Sequence, residues 1–363
     1  MKTSDFDYYL PRELIAQAPL LRRDISRMMV LLPSEKIVEH SCVSNLPDWL
    51  YSGDLIVANN SRVIPARLFG IKKRTGGNVE ILIIEGKDKL WESYYHASGR
   101  PKKGTIIIFN DNWTGRIEEQ LGEGKVLISF EGNGSFQDFL LRNGTMPLPP
   151  YIKRSKSENK LGVIDRERYQ TIYAKHEGSI AAPTAGLHFS SELIEKLKKK
   201  GIEWCEVTLH VGPGTFKPVK TENIEDHKME AERFEITEDA AEKIHQAILL
   251  QKRIIAIGST TVRVLETLAR NEKYFKEKKG QTDLFIRPGY RFQIVDAILT
   301  NFHLPRSTLL MMVSAFAGKD FIMKAYQLAI KEKYRFYSYG DCMVILGRKW
   351  DKNYFHNVIC LNE

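Results

Sequence analysis

The sequence predicts an α/β domain interrupted by an inserted all-β domain of barrel type. Toward both ends of the 363 residues, short apolar runs alternate with amphipathic stretches, the pattern of strands and their covering helices. Between them, from Ala66 to Leu141, short strands recur at roughly ten-residue spacing with turn residues separating them, the pattern of a small barrel or sandwich. Polar clusters also sit at the ends of the predicted α/β strands, where an open sheet places its ligand crevice. The expected domains are residues 1–65 with 148–363 for the α/β part and 66–147 for the insertion.

In chain order, Met28-Met-Val-Leu-Leu32 and Leu55-Ile-Val-Ala58 read as buried strands, the second ending in the polar run Asn59-Asn-Ser-Arg62. The insertion supplies Val79 to Ile84, Leu90 to Tyr95, Thr105 to Phe109, Gly115 to Glu119 and Lys125 to Phe130 as strands. Turns fall at Gly86-Lys-Asp-Lys89, Asn110-Asp-Asn112, Gly122-Glu-Gly124 and Gly132-Asn-Gly134, and Pro147-Leu-Pro-Pro150 closes the region. Ser190 and Ser191 cap a helix that has Glu192 in its first turn and Lys198-Lys-Lys200 with Gly201 at its end. The next strand, Glu206 to Val211, puts Val207, Leu209 and Val211 on one face and Thr208 with His210 on the other. Ile254-Ile-Ala-Ile257 is a buried strand, and Ser259-Thr-Thr261 opens a helix carrying Val262, Leu265 and Ala269. Ile294 to Leu299 is a further strand, followed by helices over Pro305 to Ala317 and Asp320 to Lys333.

A hydrophobic content of 43% and a charged content of 27% are those of an ordinary soluble protein. The longest apolar run, Leu309 to Ala317, is too short to span a bilayer, and the first residues lack the apolar core of a signal peptide. Cys42, Cys205, Cys342 and Cys360 lie far apart with no CxxC pair, which fits reduced thiols in a cytoplasm and not a zinc quartet. A net charge of +9 suits a polyanionic partner, although solubilising lysine faces give the same total.

Two segments carry the chemistry: Ala182-Pro-Thr-Ala-Gly-Leu-His-Phe189 and Thr208-Leu-His-Val-Gly-Pro-Gly-Thr-Phe216. Each sets one histidine, His188 or His210, among small and turn-forming residues. Either alone reads as a hydrogen-bonded loop or sheet residue; the pair points to acid/base chemistry. Further polar clusters are Asn59-Asn-Ser-Arg62, His227 with Glu230 and Glu232, Thr260-Thr-Val-Arg263, Thr282-Asp283, Asn301-Phe-His303 and Ser338-Tyr-Gly-Asp341. Thr260 and Thr261 read as a helix cap in preference to an anion site. There is no GxGxxG, no P-loop lysine after Gly104 and no HExxH, so no metal is implied.

At these clusters the chain resembles the S-adenosylmethionine:tRNA ribosyltransferase-isomerase family of queuosine biosynthesis, nearly end to end. The resemblance runs through Asp5-Phe-Asp7, Asn60-Ser-Arg62, Met146 to Arg154, Arg168-Tyr-Gln170, Ala182 to Phe189, Thr208 to Phe216, Gly258 to Glu266, Thr282 to Gly289, Thr300 to Pro305 and Tyr334 to Asp341. It implies that the ribosyl part of S-adenosylmethionine, a co-substrate and not a resident cofactor, moves onto 7-aminomethyl-7-deazaguanine at the tRNA wobble position. Adenine and methionine leave, and the rearranged sugar gives epoxyqueuosine. A base for the C5′ hydrogen, an acid for adenine and a neutral aminomethyl nucleophile are then required.

His188, His210 and Asp283 are the first choices for these proton tasks, with His303 and Glu232 behind them. Thr184, Gly186, Gly212, Thr215, Thr260, Thr261 and Arg263 are expected to bind the co-substrate, and Asn60, Arg62, Arg154, Arg335 and Tyr337 the tRNA. The two substrates are expected to meet between the α/β domain and the barrel, in a monomeric chain. Where the family reads His-x-Met-His-x-Glu, this chain has His227-Lys-Met-Glu-Ala-Glu232. If Lys228 to Ile236 is extended, Glu230 and Glu232 share a face bordering apolar residues, a setting in which Glu230 replaces an imidazole in proton transfer. The alternative is a solvated position that tolerates either residue. A non-catalytic RNA-binding protein and an S-adenosylmethionine methyltransferase are the rival readings; the first leaves the histidine loops unexplained, and the second lacks its glycine-rich loop.

Overall fold

The computed structural model describes residues 1–154, 159–212, 218–271 and 278–347. Its larger part is built on a nine-stranded sheet. The order is Lys278–Thr282, Glu232–Ile236, Glu203–Leu209, Leu55–Asn59, Ile254–Ile257, Ala297–Asn301, Cys342–Leu346, Arg27–Leu32 and Ile37–Cys42. Four consecutive strands, Glu203–Leu209 through Ala297–Asn301, run parallel. Cys342–Leu346 runs against Ala297–Asn301, and Glu232–Ile236 against Glu203–Leu209.

The middle strands are buried along their whole length because both faces of the sheet are covered. Helices Glu238–Leu249, Ser259–Asn271, Thr308–Ala317 and Lys319–Lys331 pack one face. The turn Val43–Trp49 and helix Ser191–Lys199 pack the other. Hydroxyl caps start three of these helices: the oxygens of Ser190, Thr237 and Ser307 accept from the backbone N–H groups of Leu193, Ala240 and Leu310 at 3.1, 3.3 and 3.2 Å. Each cap is worth about 1 kcal/mol.

The strand expected over Ile294 to Leu299 lies at Ala297–Asn301 instead. The cause is a buried carboxylate. Glu266 accepts the backbone N–H groups of Gln293, Ile294 and Val295 at 2.9, 3.2 and 3.1 Å, which removes them from the ladder. Likewise, the strand expected from Glu206 begins at Glu203, where it pairs with Leu55.

The inserted part is a closed antiparallel barrel of six strands: Lys125–Glu131, Leu90–Ala97, Asn78–Lys87, Arg67–Lys72, Ile106–Ile108 and Thr114–Gly122. Helix Phe136–Asn143 plugs it. Phe139 stacks on Trp113 with ring centroids 4.8 Å apart, and Phe136 on Phe130 at 4.3 Å. The two chain segments joining barrel and sheet pair with one another through reciprocal bonds between Arg67 and Thr145, at 3.2 and 2.8 Å.

Beside that crossing, a Cβ on Gly144 would lie 1.9 Å from the Pro65 carbonyl oxygen. Backbone, not a movable side chain, fills the space. We therefore expect Gly144→Ala to lower stability by about 1–3 kcal/mol through overpacking, measured by urea unfolding. An unchanged midpoint would show that the two linkers are not held in contact.

Candidate active site

The four parallel strands end at one edge of the sheet, and their antiparallel neighbours bring Glu232 and Asp341 to the same edge. Asn59, fully buried, holds the strand ends together. Its amide donates to the Leu209 carbonyl at 3.0 Å and to Thr260 Oγ1 at 3.2 Å. Its Oδ1 accepts from the backbone N–H groups of Ser61 and Leu209, both at 3.0 Å. Asn60 is fixed by Thr208, whose hydroxyl donates to its Oδ1 at 2.7 Å, and by Glu206 Oε2 at 3.2 Å.

A cleft opens along this edge, lined by Thr184, Thr260, Thr300, His303, Tyr151 and Tyr337 among others. All its lining residues belong to the α/β part. Tyr337 has φ of 71° while almost fully buried, a conformation that costs a non-glycine residue about 1–3 kcal/mol. Its ring packs 4.6 Å from that of Tyr151, whose hydroxyl is 2.7 Å from Ser338 Oγ. His303 Nε2 lies 3.0 Å from Thr300 Oγ1, and the backbone N–H of His303 donates to the Tyr326 hydroxyl at 2.9 Å.

His188 lies behind the cleft, with its Nε2 3.0 Å from the amide nitrogen of Asn301. The same Asn301 nitrogen donates to the carbonyl of Tyr337 at 3.1 Å and lies 3.4 Å from that of Asp341. Those carbonyls fix the amide orientation, so His188 Nε2 accepts and the proton sits on Nδ1. Burial, and then the charges of Arg23 and Arg335, push the His188 pKa down to about 4. Burial alone pushes His303 down to about 3. Both rings are neutral near pH 7.

His210 stands apart from this pair, half-buried with its Nδ1 against Gly178. That nitrogen is buried and has no hydrogen-bond partner among the described residues. Its pKa is also lowered, by burial first and then by Arg233 and His176. Arg233 in turn reaches Glu85 of the barrel at 3.2 Å, so the His210 side of the sheet edge borders the insertion.

Beyond His210, on the neighbouring antiparallel strand, lies the buried pair of Glu232 and Arg263. Glu232 Oε1 accepts the Gly212 N–H at 2.8 Å, and Arg263 donates to the carbonyls of Leu284 and Thr282 at 3.1 and 2.9 Å. The pair thereby pins the two residues flanking Asp283, whose own side chain is exposed.

The remaining sequence candidates fall as follows. Thr184 and Thr260 reach the cleft. Thr261 is buried and donates to the Ile257 carbonyl at 2.8 Å, and Gly186 packs where a Cβ would meet the Tyr173 hydroxyl at 2.1 Å. Thr215 lies outside the described residues. Arg62 is exposed with Glu177 at 3.9 Å, whereas Arg154 is held by both oxygens of Asp165 at 2.6 and 2.8 Å. Half-buried Arg335 donates through its side chain to the Ala18 carbonyl and through its backbone to Asp341 at 2.8 Å. Glu230 is corrected: the strand begins at Glu232, and Glu230 is exposed while Glu232 is buried, so the two do not share an apolar setting.

Sequence reasoning missed Asn59 and Asn301 as organisers, though both stand in clusters it singled out. It also missed Arg23, whose charge acts on His188 and which no motif marked. Among the described residues, no group of three His, Cys, Asp or Glu side chains is placed to hold a metal, and no helix is long and apolar enough to cross a membrane.

A sequence model of the family described as "Queuosine biosynthesis protein" matches residues 3–345. The chain belongs to this family. A relative from Natranaerobius thermophilus named S-adenosylmethionine:tRNA ribosyltransferase-isomerase is 52% identical, over 95% of this chain and 99% of its own. One of the same name from Carboxydothermus hydrogenoformans is 51% identical over 95% and 100%. A crystal structure of the S-adenosylmethionine tRNA ribosyltransferase from Thermotoga maritima superposes with a TM-score of 0.54 at 38% identity, covering 94% of this chain and 100% of that one.

For this member of the queuosine biosynthesis family, the buried histidines set a pH dependence. His188 and His303 stay neutral when folded but take a proton on unfolding below about pH 6.5. Their contribution to stability is complete above that pH and is lost as the pH falls toward about 4 and about 3 respectively. Each ring adds a slope of about 1.4 kcal/mol per pH unit. Between roughly pH 6.5 and 5, His303→Gln is expected to remove one such slope in urea titrations. A slope equal to that of the unsubstituted chain would show that His303 is protonated in the fold.

Proposed function

We propose that the chain transfers and isomerises the ribosyl part of S-adenosylmethionine onto 7-aminomethyl-7-deazaguanine at the tRNA wobble position, giving epoxyqueuosine with release of adenine and methionine. The observation that carries this is the match, at 52% identity and over nearly the whole of both chains, to a protein named S-adenosylmethionine:tRNA ribosyltransferase-isomerase. The arrangement of the sheet edge supports it. A cleft with a neutral histidine in its wall lies on one side, a half-buried histidine on the other, and a compensated carboxylate on the strand beyond it. The reading brings with it a cytoplasmic location and a monomeric chain.

Within this reading, Thr184 and Thr260 take the adenosyl group. His210 is the base for the C5′ hydrogen, because its lowered pKa leaves the ring neutral and the ring stands only half-buried just past the end of its strand. The sulfonium makes that hydrogen acidic. His188, held with its proton on Nδ1, and His303 remain neutral donors or acceptors. Exposed Asp283, steadied through Arg263, is the carboxylate available to accept a proton from the aminomethyl group. The Glu232–Arg263 pair positions this turn and does not itself exchange protons.

Incubation with S-adenosylmethionine and tRNA bearing the aminomethyl base is expected to release adenine. S-adenosylhomocysteine would indicate a methyltransferase, and neither product a binding protein. His210→Gln is expected to lower turnover by roughly 10²-fold or more while leaving the melting temperature close to that of the unsubstituted chain. Turnover that survives this substitution would remove His210 from the proton transfers.

A further inference from the structure

A second pocket lies behind the cleft, bounded by the N-terminal loop, the end of helix Asn159–Arg168 and the loop around Ser338. Arg22, Arg23, Arg168 and His188 line it, and no carboxylate does. The guanidinium groups of Arg23 and Arg168 are tied to backbone carbonyls. Arg23 donates to Leu187 at 3.1 Å and Glu167 at 3.5 Å. Arg168 donates to Leu21 at 3.0 Å and Leu20 at 2.8 Å. Carbonyl dipoles fix the position of a guanidinium but leave its charge in place.

That charge is uncompensated among the described residues. Among the described residues, neither Arg23 nor Arg168 forms a carboxylate ion pair, and the buried Nε of Arg168 has no partner. The neighbouring carboxylates are committed elsewhere. Asp24 takes Arg22 at 3.2 Å and Ser190 at 2.9 Å, Asp165 takes Arg154 and the Tyr339 hydroxyl, and Asp341 takes the backbone N–H groups of Arg27 and Arg335. Only Glu167, exposed on the helix, faces Arg23 with a charge. Arg23 and Arg168 repel one another, which adds to the effect of burial in lowering the Arg23 pKa.

We propose that Arg22, Arg23 and Arg168 form a phosphodiester-binding subsite next to His188. It seats one backbone phosphate of the RNA whose modified base enters the cleft, and so rests on the proposed tRNA substrate. Guanidinium forks match phosphate oxygens in shape and charge. Arg22, with 68% of its side chain exposed, stands at the solvent side, where a polymer backbone can pass. A small carboxylate, such as that of the methionyl group, engages one fork and leaves the other charges facing each other. Arg154, expected from sequence, is held through two nitrogens by both oxygens of buried Asp165, whereas Arg22 meets Asp24 through one nitrogen only.

The test uses the full chain and an anticodon stem-loop RNA carrying the aminomethyl base, titrated over a range of salt. Arg22→Gln leaves the carbonyl staples intact and is expected to raise Kd about tenfold and to reduce the slope of log affinity against log salt by about one. The KM for S-adenosylmethionine should not change. One neutral methylphosphonate linkage in the loop should weaken the unsubstituted chain by a similar factor and the Arg22→Gln variant much less. Arg168→Lys, which keeps the charge, should retain the salt slope, while Arg168→Gln should lose it. An unchanged slope in both glutamine variants, with melting temperatures preserved, would overturn the subsite. So would a raised KM for S-adenosylmethionine at unaltered RNA affinity, which would assign the pocket to the methionyl carboxylate. Adenine release by the unsubstituted chain is scored separately. RNA binding with these slopes but no adenine release would overturn the chemistry and leave the phosphate subsite supported.

Discussion

The carboxamide of Asn59 is the contact on which the site depends. Where parallel strands end and diverge to make a crevice, their backbone groups lose ladder partners, and burial makes each loss costly. Asn59 supplies two acceptor bonds and two donor bonds at that point, joining its own strand to Leu209 and to the start of the helix at Thr260. The sheet edge can therefore open without stranding buried polar groups. Thr260 then faces the cleft on one side of Asn59, while Leu209 leads directly to His210 on the other.

Electrostatics divide the edge into two regions. The Glu232–Arg263 pair is buried, and its remaining donors and acceptors are used on Gly212, Thr282 and Leu284. This satisfied network costs less to bury than either charge alone and fixes the turn that carries Asp283. Around His188 the balance is reversed. Burial first, and then the positive charges of Arg23 and Arg335, keep the ring neutral. A neutral imidazole bound through Nε2 to Asn301 holds one tautomer, so the surrounding carbonyls determine which ring nitrogen carries the proton.

Much of this was legible in the sequence. The barrel showed through its turn residues, and the buried strands through unbroken apolar runs such as Ile254–Ile257. The strand Arg67–Lys72 did not show, because Phe69 and Ile71 point outward and exposed, which erases the alternation that marks a strand. The start of the strand Ala297–Asn301 was misplaced because Glu266, nearly thirty residues away in sequence, captures the preceding N–H groups. Within the site, the histidine segments were visible as local patterns. The neutralisation of Arg154 by Asp165, the pairing of Glu232 with Arg263 and the convergence of Arg22, Arg23 and Arg168 join distant stretches of chain, and no local pattern encodes them. Glu230 shows the converse: its spacing from Glu232 was suggestive, but the strand begins two residues too late to bury it.

The central claim is that the cleft along the Asn59 edge receives the adenosyl group. A crystal structure of the chain with S-adenosylmethionine bound tests it directly. The adenosyl group is expected between the turn at Thr184 and the helix start at Thr260, with at least one of those hydroxyls in hydrogen-bond contact and His303 in the cleft wall beside it. A well-ordered co-substrate seated elsewhere, touching neither threonine, would contradict it.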